Sequence, residues 1–559
     1  AASDVYKRQL EEVSPLMVFA RRSTTLLAAI IASCAMVLSL TACTSDNKTV
    51  VDGQTTVTSN SAGGVAVFTP SDGITLNQQT PLNKWAKLVP DLAKALADAG
   101  FKKGDINHTT SDSLDKQSRA IQDFVVDHLS NNTTDDSGIA IAPDNMTLLV
   151  APVVEADAST RQYGDYVSQN LSTNDVTDGE ATSDGESSED DSSKDDSSNT
   201  ESDSTASDEQ AQAVDRLVSS LKLAKESGMH VVLLGNSIEG YKPDAFVKFS
   251  DAQTIGKLQA EKMVSKLKLD KASKDNPKYI EVLLPYTAVD EKGNANDSTF
   301  AQEAFRGIWQ VLGSYYQKGV VESPSGTLDG KSTENDWQAV AYDAAKEGST
   351  AKVLDKRLAK TDGQSTLTRI DGIITMNDYI ASEVVKELDD LGYTGSAADI
   401  NPQITISGIV GNITGKKDLS RDAVPDPIKS PENDNANDSS SSDDDADEDT
   451  SASDKDRDSQ WPLVTGYGAY VSNIPSIVNG KQWMTGMEDR QTIATDIAQA
   501  CAKLNKDEAL NSMPSIRNSE VGGVKKIPTI SEPLLAVSAS NLKSALIDPG
   551  YISLADAGL

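Results

Sequence analysis

Groups able to do chemistry are sparse in this 559-residue chain, and their spacing argues against catalysis. The three histidines, His108, His128 and His230, stand far apart, so no metal site is expected from them. The sequence contains no Gly-x-Ser-x-Gly elbow and no complete phosphate-binding loop ending in Gly-Lys-Ser/Thr. Acidic residues number 85, too many for any one pair to stand out as general acid and base. Neither an enzyme nor a cofactor is expected. Of the three cysteines, Cys34 lies in an apolar segment. Cys501 falls on the helical stripe Ile493, Ile497, Cys501, Leu504, the pattern of a buried, inert thiol. An odd count gives no disulfide framework.

Cys43 stands in a different setting. Arg21 and Arg22 precede a 15-residue apolar core, residues 26–40, which is short for a membrane-spanning helix of about 20 residues. The core ends in Leu40-Thr41-Ala42-Cys43, which resembles the lipobox of bacterial lipoproteins. That resemblance implies cleavage before Cys43 and attachment of a diacylglycerol to its sulfur. An ordinary signal peptide or a short anchor helix is the rival reading. Residues 1–42 are accordingly read as upstream residues plus signal, with Met17 the expected true start. Residues 43–75 are rich in Thr, Ser, Asn and Gly and read as a flexible tether, which would reach roughly 30 Å.

The net charge of −34 is concentrated in two places. Residues 175–209 hold 14 acidic residues and one lysine, and residues 432–458 hold 12 acidic residues, one lysine and one arginine. The remainder is only mildly acidic, which makes nucleic acid and anionic membrane surfaces poor partners. Both tracts are Ser/Asp-rich with almost no apolar residues, so disordered insertions are expected over about 160–209 and 415–460.

The elements between the tracts alternate. A helix pattern runs through Leu88, Leu92 and Leu96 to Gly100, with Pro90 in its first turn or at a kink. Asp112 or Ser113 can cap a second helix bearing Gln117, Ile121 and Val125. Strand-like runs occupy residues 147–153, 230–234, 279–284 and 370–376, separated by helical patterns through Ile308 and through Val384 to Gly392. Strands separated by helices imply parallel sheets covered on both faces, an α/β, doubly wound fold.

With that alternation in place, several short motifs in order resemble the type I periplasmic-binding-protein family, specifically sugar-binding lipoproteins of the xylose and multiple-monosaccharide kind. They are Leu82-Asn83-Lys84-Trp85, the helix of residues 112–124, residues 224–232, Met376-Asn377-Asp378, Gly480-Lys481-Gln482-Trp483-Met484-Thr485, and residues 527–551. The resemblance implies two lobes joined by three crossovers. Lobe one would take residues 76–234 and 464–527, and lobe two residues 240–410 and 528–559. It further implies an extracytoplasmic, lipid-anchored monomer that binds a small polar ligand, a sugar, between the lobes and passes it to an ABC permease. A surface lipoprotein acting as sensor or interaction module is the alternative.

Candidate ligand groups follow from the same matches. Asp378, with Asn377 beside it, sits where the family holds a ligand carboxylate, although an Asp at a strand-to-helix turn also serves as an N-cap. Trp337, Trp85 and Tyr467 are candidate stacking rings, with core packing as the rival role for the two tryptophans. Asn296 and Asp297 fall in a loop that borders the family's cleft, or in a plain solvated turn. Two departures bear on the ligand. Gly235-Asn236 replaces an Asp-Arg pair, and Thr465-Gly466-Tyr467-Gly468 replaces a Ser-Gly-Gln-Asp element that Ile404–Gly408 also mimics. Losing charge-assisted bonds of this kind changes specificity.

Overall fold

Runs of Val, Leu and Ile bounded by glycine or polar turns form two sheets in the computed structural model. It describes residues 62–71, 81–131, 141–154, 158–172, 201–289, 296–344, 346–359, 367–398 and 460–559. Everything described belongs to one unit, Asn60–Leu559. The stretch read as an export signal, with Cys43, and residues 173–200, the second acidic tract and residues 404–408 lie outside the described residues.

The first sheet runs in the order β15 (Ile516–Val521), β16 (Val524–Ser531), β7 (Ala245–Lys248), β5 (His230–Leu234), β3 (Met146–Val150), β1 (Gly64–Pro70) and β2 (Ile106–Ser111). All neighbours are parallel except the β15–β16 hairpin. Side chains alternate across a strand, and both faces here are apolar. Val65, Val67, Leu149, Val232 and Val247 pack with α1 (Trp85–Asp98) and α10 (Arg490–Leu504). Ala66, Phe68, Leu148, Val231 and Leu233 pack with α2 (Leu114–Asn131) and α4 (Glu201–Glu226). Ser113 caps α2 through Lys116 N, while Asp112 pairs with the Lys116 ammonium instead. Cys501 is fully buried on α10, and desolvation pushes its thiol up.

The second sheet runs β10 (Val321–Glu322), β8 (Lys278–Val282), β12 (Gly372–Ile374) and β13 (Leu463–Thr465), all parallel. Just past β8, β9 (Leu284–Pro285) pairs with β11 (Ala341–Tyr342). The core around it gathers α5 (Ala252–Leu267), α6 (Thr299–Gln317), α7 (Ser349–Arg357) and α8 (Asp378–Leu391). Helices α5 and α6 touch backbone to backbone: a Cβ on Gly256 would meet Ala304 O at 2.2 Å, and one on Gly307 would meet Gln253 O at 2.0 Å. In each sheet the first strand lies between the second and third, β2-β1-β3 and β10-β8-β12. That order creates a crevice at the carboxyl ends of the strands, where open α/β sheets take ligands.

Three crossings join the lobes, at residues 249–251, 488–489 and 532–534. Two of them are continued by the antiparallel pair β14 (Met484–Met487) and β17 (Leu535–Ser538). The C-terminal tail beyond β17 packs Leu542, Leu546 and Tyr551 against Leu82, Ile474 and Ile477, the last two on α9 (Ile474–Val478).

These pairings redraw the expected boundaries. Strand β1 falls inside the stretch read as tether. Strands β7 and β16 belong to the first lobe, while β13 joins the second. The span read as a disordered insertion over 160–209 includes residues 160–172 of a packed segment that begins at 158, and the start of α4.

Candidate functional site

The crossings meet in a buried polar knot. Ser250 N donates to Glu488 Oε1 at 2.6 Å, and Tyr467 OH reaches the same oxygen at 3.4 Å while also bonding Ser250 Oγ. Water cannot solvate these groups, so burial raises the Glu488 carboxyl to about 7 and the Tyr467 phenol well above its usual value. Glu488 N donates to Asn83 Oδ1 at 3.4 Å. Asn83 is 1% exposed, yet its Nδ2 has no acceptor among the described residues. Buried donors are nearly always satisfied, so this orphan marks a polar position beside the hinge.

The carboxyl ends of both sheets converge on one stretch of the chain itself. After β3 the chain forms a single helical turn, α3 (Ala158–Arg161), and then runs without regular structure to β4 (Asn170–Leu171). Gln162 reaches the second lobe: its Oε1 accepts from Asn377 Nδ2 at 3.1 Å, and its carbonyl from Tyr470 OH at 2.7 Å. The Tyr163 ring lies 4.8 Å from Phe300 and 6.4 Å from Tyr467, centroid to centroid. Gly164, at φ +97°, passes so close to Asn83 that a Cβ would meet its carbonyl at 2.6 Å. Asp165 turns to the first lobe, accepting from Lys84 Nζ and Trp85 N, both at 3.1 Å. Tyr166 stacks on Phe249 at 4.8 Å, meets Trp85 edge-on at 5.1 Å and donates to Lys84 O. Ser168 N donates to Ser250 O at 3.1 Å. Gln169 N donates to Asn236 Oδ1 at 3.0 Å, and β4 pairs with β6 (Ser237–Ile238).

Four of the residues singled out in the sequence, Trp85, Asn236, Asn377 and Tyr467, therefore meet at this segment. Asn236 also spans to Pro152 O through its Nδ2 at 2.9 Å. Asn377 has a second task, because its Oδ1 accepts from Ile380 N at 2.9 Å and caps α8. Gly235, at φ +70°, lies where the resemblance places an aspartate, and the Trp85 and Phe249 rings stand 3.6 Å from where its Cβ would be.

Asp378 is held elsewhere. Its carboxylate is fully buried in the second lobe, with Oδ1 accepting from Gln482 Nε2 at 2.7 Å. Its Oδ2 accepts from Tyr470 N at 2.9 Å and Thr485 Oγ1 at 2.8 Å. Desolvation outweighs these donors and lifts the carboxyl to about 6. A Cβ on Gly466 would stand 2.1 Å from Asp378 Oδ1, so glycine there makes room for the carboxylate. Among the described residues Asp378 is thus neither the cap of α8 nor hydrogen-bonded to the segment; it ties residues 466–485 to the start of α8.

Trp337 and Asn296 form a separate pair through Tyr286. Trp337 meets the Tyr286 ring edge-on at 5.1 Å, and Tyr286 OH donates to Asn296 O at 3.1 Å. Asn296 is pinned to Thr287 O at 2.8 Å, while Asp297 accepts from Thr299 N and Oγ1 at the start of α6. The residues that sequence reasoning missed are Asn83, Gln162, Tyr163, Asp165, Tyr166, Ser250 and Glu488. The tyrosines offered the one local signal, two aromatic rings next to an acidic tract nearly free of apolar residues.

No protein-family model matches the chain, and a search of curated proteins found no match. Among solved structures, similar chains include an ABC transporter solute-binding protein from Clostridium phytofermentans with bound β-D-glucose, at 16% identity and TM-score 0.43, covering 88% of this chain and 99% of that one. A carbohydrate transporter solute-binding protein from Chloroflexus aurantiacus in complex with D-glucose is 18% identical, with TM-score 0.42 and coverage of 89% and 98%. An ABC transporter periplasmic solute-binding protein from Actinobacillus succinogenes with bound D-allose is 10% identical, with TM-score 0.38 and coverage of 86% and 99%.

Proposed function

We propose that this chain is the solute-capturing component of an ABC importer, anchored outside the membrane through a lipid on Cys43, with a neutral polyhydroxylated molecule, a sugar, as its ligand. The observation that carries the reading is the meeting of both sheets' carboxyl ends across a three-crossing hinge. That meeting place is lined by the rings of Trp85, Tyr467 and Phe300 and the amides of Asn83, Asn236 and Asn377. Flat rings suit the C–H face of a sugar, and amides both donate to and accept from its hydroxyls. Closure of two lobes about such a hinge is a movement that a permease can read.

The test is a thermal-shift screen of the chain from Thr44 onward against sugars, polyols and nucleosides. A ligand at 100 times its Kd stabilises by about 2.7 kcal/mol, a readily measured rise in Tm. A flat response to the whole panel would refute solute capture. The presence of the chain's own segment at the lobe junction favours a second reading, a surface module with this fold that acts as a sensor or partner-binding protein. That reading accommodates such a flat response.

A further inference from the structure

We infer that residues 162–169 are a built-in occupant of the interlobe cleft, holding the lobes together in place of solute and competing with it. The inference rests on the solute-capture reading for the identity of the competitor, but the occupancy itself rests on geometry. This stretch presents the chemistry that a polyhydroxylated ligand would present: amide, carboxylate and backbone hydrogen-bonding groups around two flat rings. It also grips both lobes at once. Gln162 and Tyr163 attach to Asn377, Tyr470, Phe300 and Tyr467 of the second lobe. Asp165, Tyr166 and Gln169 attach to Lys84, Trp85, Phe249 and Asn236 on the first-lobe side.

Two details mark an occupant rather than ordinary core. The stretch has no regular secondary structure between α3 and the two-residue β4, so its backbone is held mainly by the cleft walls. Its fit also leaves Asn83 Nδ2 unmet among the described residues, although Asn83 O accepts from Asp165 N at 2.8 Å. A hydroxylated solute lying against Asn83 would supply the missing acceptor.

If the cleft is free of the segment for 1–10% of the time, apparent solute affinity is lowered about 10- to 100-fold. The decisive experiment replaces residues 162–169 by eight Gly/Ser residues in the otherwise intact mature chain. Interlobe distances are measured by electron–electron resonance between a label on α2 and one on α7, and binding of D-glucose, D-xylose and myo-inositol by calorimetry. We expect the solute-free variant to show a wider distance distribution and to bind at least one of these molecules at least tenfold more tightly than the parent. Wider distances with no binding by either protein would uphold the occupancy and refute sugar capture. Equal affinity in both proteins, or unchanged distances, would overturn the occupancy while leaving solute capture standing wherever binding is seen. Should the replacement fail to fold, Ser168→Cys with Ser250→Cys gives a reversible lock at the Ser168 N to Ser250 O contact. Reduction should then raise affinity at least tenfold, and equal affinity in the oxidised and reduced forms would overturn the occupancy.

Discussion

Replacing Glu488 by glutamine should change how stability depends on pH. The carboxyl is fully buried among Ser250, Tyr467 and Asn83, with the negative charge of Asp251 adding to desolvation, and its pKa rises from 4.5 to about 7. A carboxyl raised on folding binds its proton more tightly in the native state, so its contribution is complete below about pH 4.5 and is lost as pH rises through about 7. At ~1.36 kcal/mol per unit, the full span is about 3 kcal/mol, of which roughly 2.5 kcal/mol falls between pH 5 and 8. Glutamine keeps an oxygen for Ser250 N but does not titrate. Urea unfolding of parent and Glu488→Gln at pH 5, 6, 7 and 8 is the assay. The parent should lose stability over that range by roughly 2 kcal/mol more than the variant, and the difference between them should favour the variant increasingly with pH. Parallel profiles for the two proteins would show that the carboxyl is not buried in this way.

Three further outcomes are expected. Asp378→Ala strands Tyr470 N and leaves Gln482 Nε2 and Thr485 Oγ1 only their bonds to Met484 O and Gly486 O, and at about 1–3 kcal/mol per stranded buried donor it should destabilise by roughly 2–3 kcal/mol. A lower urea midpoint checks it, and solute affinity measured on whatever remains folded should change little. Gly466→Ala forces a Cβ to within 2.1 Å of Asp378 Oδ1, and overpacking of this kind costs about 1–3 kcal/mol, read as a drop in Tm. Cys43→Ser should abolish incorporation of labelled fatty acid and release the protein from membranes; retention of the variant would refute lipid anchoring.

Elements whose pattern is local were readable from sequence. Strand β5 lies where the run His230-Val231-Val232-Leu233-Leu234 places it, and α8 ends at Gly392 in the left-handed conformation that such a stop requires. Strand β1 was hidden because Gly64-Val65-Ala66-Val67-Phe68 is embedded in Thr/Ser/Gly-rich sequence, and a fully buried parallel strand lacks the alternation that would announce it. The cleft residues on strand ends were legible as positions, whereas their partners were not. Asp378 faces the interior of its own lobe because Tyr470, Gln482 and Thr485, 92, 104 and 107 residues downstream, fold back over it. The segment at the cleft was obscured by its acidic neighbours, and the i, i+3, i+4, i+8 spacing of Tyr163, Tyr166, Val167 and Leu171 matches one face of a helix, whereas residues 162–169 take no regular structure.

The placement of the crossings also shapes how the chain can reach this fold. Most of the second lobe is one stretch, from α5 to β14, which β17 joins only after the third crossing, and the first lobe is split around that stretch. Its sheet closes only when Phe246 on β7 meets Thr529 on β16. Bringing such distant residues together carries a large entropic cost if the intervening chain is unfolded. Both ends of the inserted lobe emerge at the same point, where Ser250 N meets the Glu488 carboxylate. Once that lobe has formed, the long closure shrinks to a short one, because the ends to be joined already leave side by side. The hinge contact would then double as the splice that lets a divided domain fold after its own insert, with the α5-to-β14 part of the second lobe forming first and β17 joining it last.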